Sequence, residues 1–479
     1  MGKIKYIIIV LLLSAVKPCI GQEDVNLSLD DYLETAAKNN PGIKAHFNQY
    51  LAALEKVPQA GALPDPLATF GYFIKPMELS GGNQTADMQL MQMFPWFGTL
   101  KVSKDEASLM AKAEYEAFIA AKAELFYKVK TGWYQLMKFD REIALVSENI
   151  EMLESLEKLV LIKFQSPVTD VSTPAMPGTN LVSSASTGAV NNSEGGMGGM
   201  NNPQGSANPM VTGSASTGSM SSGMNSSTTG LQDVFRARME ILEQQNKLAL
   251  LHDQRKTSEE VFNALLNRNL NTPVQISDSL SAQPLPANIS AIADTILINN
   301  PMLAMLENES GAYGFMEMKA KKMGFPMLGI GLNYMFIQER DGNPSMMNGN
   351  DMIMPMVSVS IPVYRKKYSA MQSEARLMQE SVNQQIIDLR NNLMVQYRQL
   401  VQGLADAGRR IELYKEQEDL ARRTTNLLLS GFTTTGNNYE EVLRMQLRLI
   451  DYGFKHIEAI VDYNTSAAMA EKLMNSLKY

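Results

Sequence analysis

Two stretches of 68 residues, 98–165 and 363–430, are each patterned as one long helix. In the second, Met371, Ala375, Met378, Val382, Ile386, Leu389, Leu393, Tyr397, Leu400, Leu404, Ala407, Ile411 and Tyr414 recur at steps of three or four. That spacing lays one uninterrupted apolar stripe along a helix. At ~1.5 Å per residue either stretch would be about 100 Å long, more than a compact domain can hold. Each is followed by a further helix-patterned segment, about 231–268 and 439–474, so the chain reads as two long antiparallel helical hairpins.

The hairpins belong to a unit written twice. Asn39-Asn40-Pro41 returns as Asn299-Asn300-Pro301, and Phe94-Pro95-Trp96 as Ile361-Pro362-Val363. Ala107-Ser108-Leu109-Met110 returns as Ala375-Arg376-Leu377-Met378, and Gln232-Asp233-Val234-Phe235-Arg236 as Glu440-Glu441-Val442-Leu443-Arg444. Pro41 suits the first turn of a helix. Ahead of each long helix lie two short segments of period two, about 67–75 and 86–94, then about 327–337 and 351–361. In the last, Ile353, Val357, Val359 and Ile361 fall on one face and Met352, Met354, Met356, Ser358 and Ser360 on the other, the signature of a strand with two unlike surroundings. The predicted class is mainly α with a small β part. The first repeat covers 22–270 with its hairpin at about 98–268, a linker covers 271–287, and the second repeat covers 288–479 with its hairpin at about 363–474.

Residues 166–229 break the pattern. Ser, Gly, Asn and Thr make up 39 of these 64 residues, with two charges, five Pro and no aromatic residue. Such a composition cannot bury enough apolar surface to order itself, so a disordered insert at the bend of the first hairpin is expected. At the other extreme, Lys3 and Lys5 precede an apolar run from Tyr6 to Leu13 and a more polar stretch ending at Gly21. This reads as a secretory signal peptide over 1–21. The run is far short of the roughly 20 residues of a spanning helix. Lys17-Pro18 ahead of Cys19 lacks the small residues of a lipoprotein signal, so Cys19 is expected to leave with the leader. Loss of Lys3, Lys5 and Lys17 would take the formal net charge from -7 to -10.

Several function classes drop out. Lys and Arg total 43 against 50 Asp and Glu, without a basic block, so no nucleic-acid partner is expected. One Cys and three scattered His cannot supply a zinc finger or an iron–sulfur cluster. No GxSxG, HExxH or Walker-type loop occurs, so neither an enzyme nor a cofactor is expected. An exported chain with amphipathic strands can place their apolar face in lipid only as part of a closed barrel. Four strands are too few for one barrel, so several copies must share it.

At these residues the chain resembles the TolC-type outer-membrane efflux proteins. The resemblance rests on the Asn-Asn-Pro helix starts, on the turns Phe94-Pro95-Trp96-Phe97-Gly98 and Ile361-Pro362-Val363-Tyr364, and on the tip sequences Gly230 to Val234 and Gly431 to Leu443. It covers nearly all of 25–475, with 166–229 outside the family pattern. It implies a homotrimer in which twelve strands form one outer-membrane β-barrel and twelve long helices a periplasmic α-barrel. It also implies a periplasmic adaptor and an inner-membrane pump, of the resistance-nodulation-division type, as partners. Carboxylates near the hairpin tips line the family's periplasmic constriction. Glu441 falls on such a position and Asp233 is its equivalent in the first hairpin, whereas Arg444 stands where some members carry a second acid. The bland alternative is that acidic residues in a first turn suit the positive end of a helix.

Methionine points to a cargo. There are 33 in the chain, and six lie in the coreless insert: Met176, Met197, Met200, Met210, Met220 and Met224. If Ile353 and Val357 face lipid, Met352, Met354 and Met356 face the lumen, and by the repeat so do Met91 and Met93. Thioether sulfur is a soft ligand that selects Cu(I) and, by the same softness, Ag(I). Elsewhere Met serves as a flexible gap filler. The sequence therefore predicts the exit duct of a tripartite efflux system for Cu(I), Ag(I) or other heavy-metal ions. Multidrug and type I protein-export ducts share the architecture, and a pore-free coiled-coil adaptor, with one hairpin rather than two, is the competing class.

Overall fold

The computed structural model describes residues 28–165, 226–276, 278–285, 289–342, 346, 348–435 and 439–476. The expected leader and the six methionines of the expected insert lie outside these residues. The chain forms two compact units, one of Met1–Ile150 with Glu243–Tyr479 and one of Glu151–Leu242. Its elements are α1 (Leu29–Asn39), α2 (Pro41–Gly61), β1 (Leu67–Leu79), β2 (Gly82–Phe94), α3 (Thr99–Gln165), α4 (Ser226–Leu265), α5 (Ile289–Asn299), α6 (Pro301–Met323), β3 (Met327–Gln338), β4 (Met352–Ser360), α7 (Arg365–Thr435) and α8 (Tyr439–Met474).

The two Asn-Pro starts are built alike. Asn40 Oδ1 accepts from the N–H groups of Gly42 and Ile43, while Asn40 Nδ2 donates to the carbonyl of Leu265, the last residue of α4. Asn300 Oδ1 accepts from Met302 and Leu303, and its Nδ2 donates to the carbonyl of Leu473 near the end of α8. One amide thus caps the start of one helix and satisfies an orphan carbonyl at the end of another. In both cases the next residue, Pro41 or Pro301, lacks only an N–H that the first turn could not have used.

In the larger unit α7 packs between α6 and α8. Its buried positions include Ala375 and Val382, then Leu393, Leu400, Ala407 and Ala421. These step by seven or fourteen but for one step of eleven between Val382 and Leu393, a near-heptad spacing that keeps one seam against a neighbouring helix. One core gathers Trp133, Phe262, Tyr32 and Leu33 beneath α1, and another joins Ile292 and Ile296 to Leu393, Leu400, Leu404 and Leu473. The linker is pinned rather than loose. Arg255 donates to the Val274 carbonyl, Glu259 accepts from the Val274 N–H, and Arg255 also pairs with Asp140. In the smaller unit Leu153, Leu156 and Val160 of α3 are buried, as are Ala237 and Ile241 of α4.

Several boundaries differ from expectation: β2 starts at Gly82 rather than at about 86, and α4 starts at Ser226, inside the expected insert of 166–229. The strand expected at 67–75 continues to Leu79, through Lys75-Pro76. β1 is an edge strand, where a missing N–H breaks no ladder. The turn expected from Gly431 shrinks, because α7 runs on to Thr435. Phe432 is buried and its ring lies 5.8 Å from that of Tyr439, which holds the last turn in helical packing.

Candidate functional site

The four strands form one antiparallel sheet in the order β1-β2-β3-β4. Directly paired residues share a face, so the register sorts every side chain. One face carries the rows Phe70–Met88–Tyr334–Ile353, Ala68–Leu90–Leu332–Pro355 and Gln92–Ile330–Val357, closed by Phe94–Leu328–Val359. It is almost wholly apolar, yet Phe70 is 67% and Val357 78% exposed. With the row Tyr72–Ala86–Phe336, the five rows from Tyr72 to Phe94 span about 27 Å along the strands at ~3.4 Å per residue. That compares with the ~25 Å apolar band of outer-membrane barrels.

The opposite face carries Gly71–Asp87–Met335–Met352, Thr69–Gln89–Asn333–Met354, Leu67–Met91–Gly331–Met356 and Met93–Gly329–Ser358. Met91, Met93, Met352, Met354 and Met356 therefore lie on one surface among amides, hydroxyls and glycine. β3 supplies no side chain at Gly329 and Gly331, and Ser358 and Met93 close over Gly329. Ser358 Oγ reaches across it to Met91 Sδ at 3.5 Å and Met93 Sδ at 3.8 Å. A Cβ on Gly329 would collide with Ser358 Oγ and stand 2.7 Å from Met93 Sδ. Met335 and Ser358 share this face with the five methionines singled out from the sequence. Period two alone places both on this face; reach across the glycines does not follow from sequence.

At the helical end of the sheet the crossings are tied together. Trp96 stacks on Phe325 at 5.1 Å, Lys322 Nζ donates to the Phe97 carbonyl at 3.1 Å, and Lys319 pairs with Glu106 at 3.0 Å. Phe97 and Tyr364 are 77% and 83% exposed. Within this band, residues 62–66, 97–106, 319–325 and 361–368, eight Lys or Arg stand against Asp65, Asp105 and Glu106.

At the tip of the second hairpin, Glu440 and Glu441 occupy the first turn of α8. Arg444 reaches both, Glu440 at 2.8 Å and Glu441 at 3.4 Å, so two exposed carboxylates share one guanidinium. In the smaller unit Asp233 lies 3.9 Å from Arg236, three residues on. The acid–x–x–Arg pattern thus gives the same local pairing in both hairpins. Further along, Glu418 of α7 accepts from His456 of α8 at 3.3 Å and pairs with Arg422 at 3.0 Å. The His456 hydrogen bond, and after it Arg422, holds the Glu418 carboxyl below its usual range.

No protein-family model matches the sequence, and no curated protein does. Solved structures do. The outer membrane protein VceC of Vibrio cholerae aligns with a TM-score of 0.65 at 11% identity, over 93% of this chain and 95% of its own. The MtrE outer membrane channel of Neisseria gonorrhoeae aligns at 0.67 and 12%, over 93% and 88%. The CmeC outer membrane channel of Campylobacter jejuni aligns at 0.65 and 12%, over 93% and 85%. The chain has the fold of outer-membrane channels. Within that channel fold, the apolar strand face is one of two unlike surfaces of a single sheet with two unpaired edges. No helix of the described residues is long and apolar enough to cross a membrane. Among the described residues no group of three or more His, Cys, Asp or Glu is placed to hold a metal ion.

Proposed function

We propose that the chain is the outer-membrane channel of a tripartite efflux system, with three copies closing their sheets edge to edge into a twelve-stranded barrel and their duplicated hairpins into a periplasmic α-barrel. The observation that carries this is the sheet itself. An exposed apolar face backed by a polar face, with open edges at β1 and β4, is stable in lipid only when the edges are paired. A periplasmic adaptor and an inner-membrane pump would meet the helical end. The test is the mass of the detergent-extracted protein by light scattering, expected near three times the 53.0 kDa chain less its leader. A monomer, or recovery in the soluble periplasmic fraction, overturns it.

For cargo we propose Cu(I) or Ag(I). Support comes from five of the predicted methionines sharing the polar face with Met335, two of them converging on Ser358 over Gly329. Thioethers on an exposed sheet face suit an ion that must bind softly and leave. Deletion of the gene should sensitise cells to copper or silver, and Leu at Met91, Met93, Met352, Met354 and Met356 should do so in part. Unchanged metal tolerance with lost tolerance to dyes or detergents would move the assignment to drugs. Glu441 and, separately, Asp233 are proposed to set ion preference at their hairpin tips.

A further inference from the structure

The chain as a whole has a formal net charge of -7, yet the band below the sheet, where strands give way to helices, carries eight cations against three carboxylates. One of those carboxylates, Glu106, is already paired with Lys319. Lys101, Lys321, Arg365 and Lys366 are exposed and form no ion pair among the described residues. They flank Phe97 and Tyr364, whose rings are more than three-quarters exposed just past the last apolar row of the sheet. Exposed aromatic rings beside cations, at the end of an apolar band, are what a membrane–water interface selects: the ring sits among headgroups and the cation reaches the phosphates. If the band faced only water, its rings would be exposed without gain and its cations would repel one another. If it were a contact between copies, like charges would be brought together around a ring.

We infer that this band is a binding surface for anionic phospholipid headgroups, formed by Lys101, Lys321, Arg365 and Lys366 with Phe97 and Tyr364, which fixes the height of the sheet in the bilayer. The inference rests on the channel reading and adds a lipid preference to it. Vesicles of phosphatidylcholine with one-fifth phosphatidylglycerol would receive the full-length protein, and the lipid retained after mild extraction would be measured by mass spectrometry. The parent should retain phosphatidylglycerol over phosphatidylcholine in a ratio at least about tenfold above the bulk 1:4, and less in high salt. A variant with Lys101, Lys321, Arg365 and Lys366 changed to Gln should fall close to the bulk ratio, since each cation near an anionic surface is worth about fivefold. A charge-matched control, Lys256, Arg409, Lys415 and Arg423 changed to Gln, should keep the preference. Absence of preference in the parent, its persistence in the first variant, or equal loss in the control would overturn the inference. In each of those cases insertion, read by protease protection, leaves the channel reading standing. Failure of the parent to insert at all would remove both.

Discussion

Asn300 offers a quantitative test of how the hairpins are joined. Its side chain is buried, accepts from the Met302 N–H at 3.0 Å and donates to the Leu473 carbonyl at 3.2 Å. Asn300→Ala removes a cap worth about 1 kcal/mol and strands a buried carbonyl at about 1–2 kcal/mol, about 2–3 kcal/mol together. Hydrogen exchange at the first-turn amides of α6 reads this locally and needs no two-state unfolding. Those amides should exchange about 30- to 150-fold faster, at tenfold per 1.4 kcal/mol. Asn300→Asp keeps the acceptor and loses the donor, so it should fall between parent and Ala. Asn40, half-buried with the same set of bonds, should cost less when changed to Ala, about 1–2 kcal/mol. Parent-like exchange in Asn300→Ala, or Asp as fast as Ala, would refute the division of roles between the two atoms of the amide.

Three further outcomes are expected. Gly329→Ala should destabilise by about 1–3 kcal/mol through overpacking, and adding Ser358→Ala should recover much of it, because the hydroxyl that collides is gone; a double variant no better than the single in thermal denaturation would show the strain lies elsewhere. Glu418 has a folded-state pKa below its ordinary 4.5, so its contribution is present above that value and is lost as pH falls through the folded one. Denaturation between pH 3 and 6 should therefore depend less on pH in Glu418→Gln than in the parent, and identical profiles would dismiss the pairing with His456 and Arg422. In single-channel recordings Glu441→Gln should lower cation preference and Arg444→Gln raise it, since the guanidinium now offsets one of two carboxylates; unmoved reversal potentials would leave these residues as helix-start charges alone.

Much of this was legible from residue order because the decisive elements are long or periodic. Alternation over β4 fixed which side chains share a face, and the repeated Asn-Pro located two helix starts. The donor half of those same asparagines was not legible, since Leu265 and Leu473 lie 225 and 173 residues away. The run of β1 through Lys75-Pro76 was not legible, because the cost of a strand proline depends on whether the strand is at an edge, a property of the sheet and not of the strand. Nor was the run of α7 past Gly431, where the packing of Phe432 against Tyr439 outweighs the weak helical propensity of the glycine. The Arg255, Asp140, Glu259 and Val274 network combines a helix, its neighbour and a linker, and no local pattern announces it. The place of Met335 on the methionine face follows from period two alone.

The 71 residues of α7 also restrict how such a chain can change length over evolutionary time. Deleting one residue from its interior would rotate every side chain beyond the deletion by about 100°, turning the seam of Val382, Leu393 and Leu400 away from α6 and α8. Compensation would require a matching deletion in each partner helix at the same level. Additions between helices meet no such condition, since doubling a connection costs only about 0.6 kcal/mol in closure entropy. Helix interiors should therefore be frozen in length across descendants of this chain while connections drift, and the 60 residues separating Gln165 from Ser226 stand at one of the few places where the architecture has no count to keep.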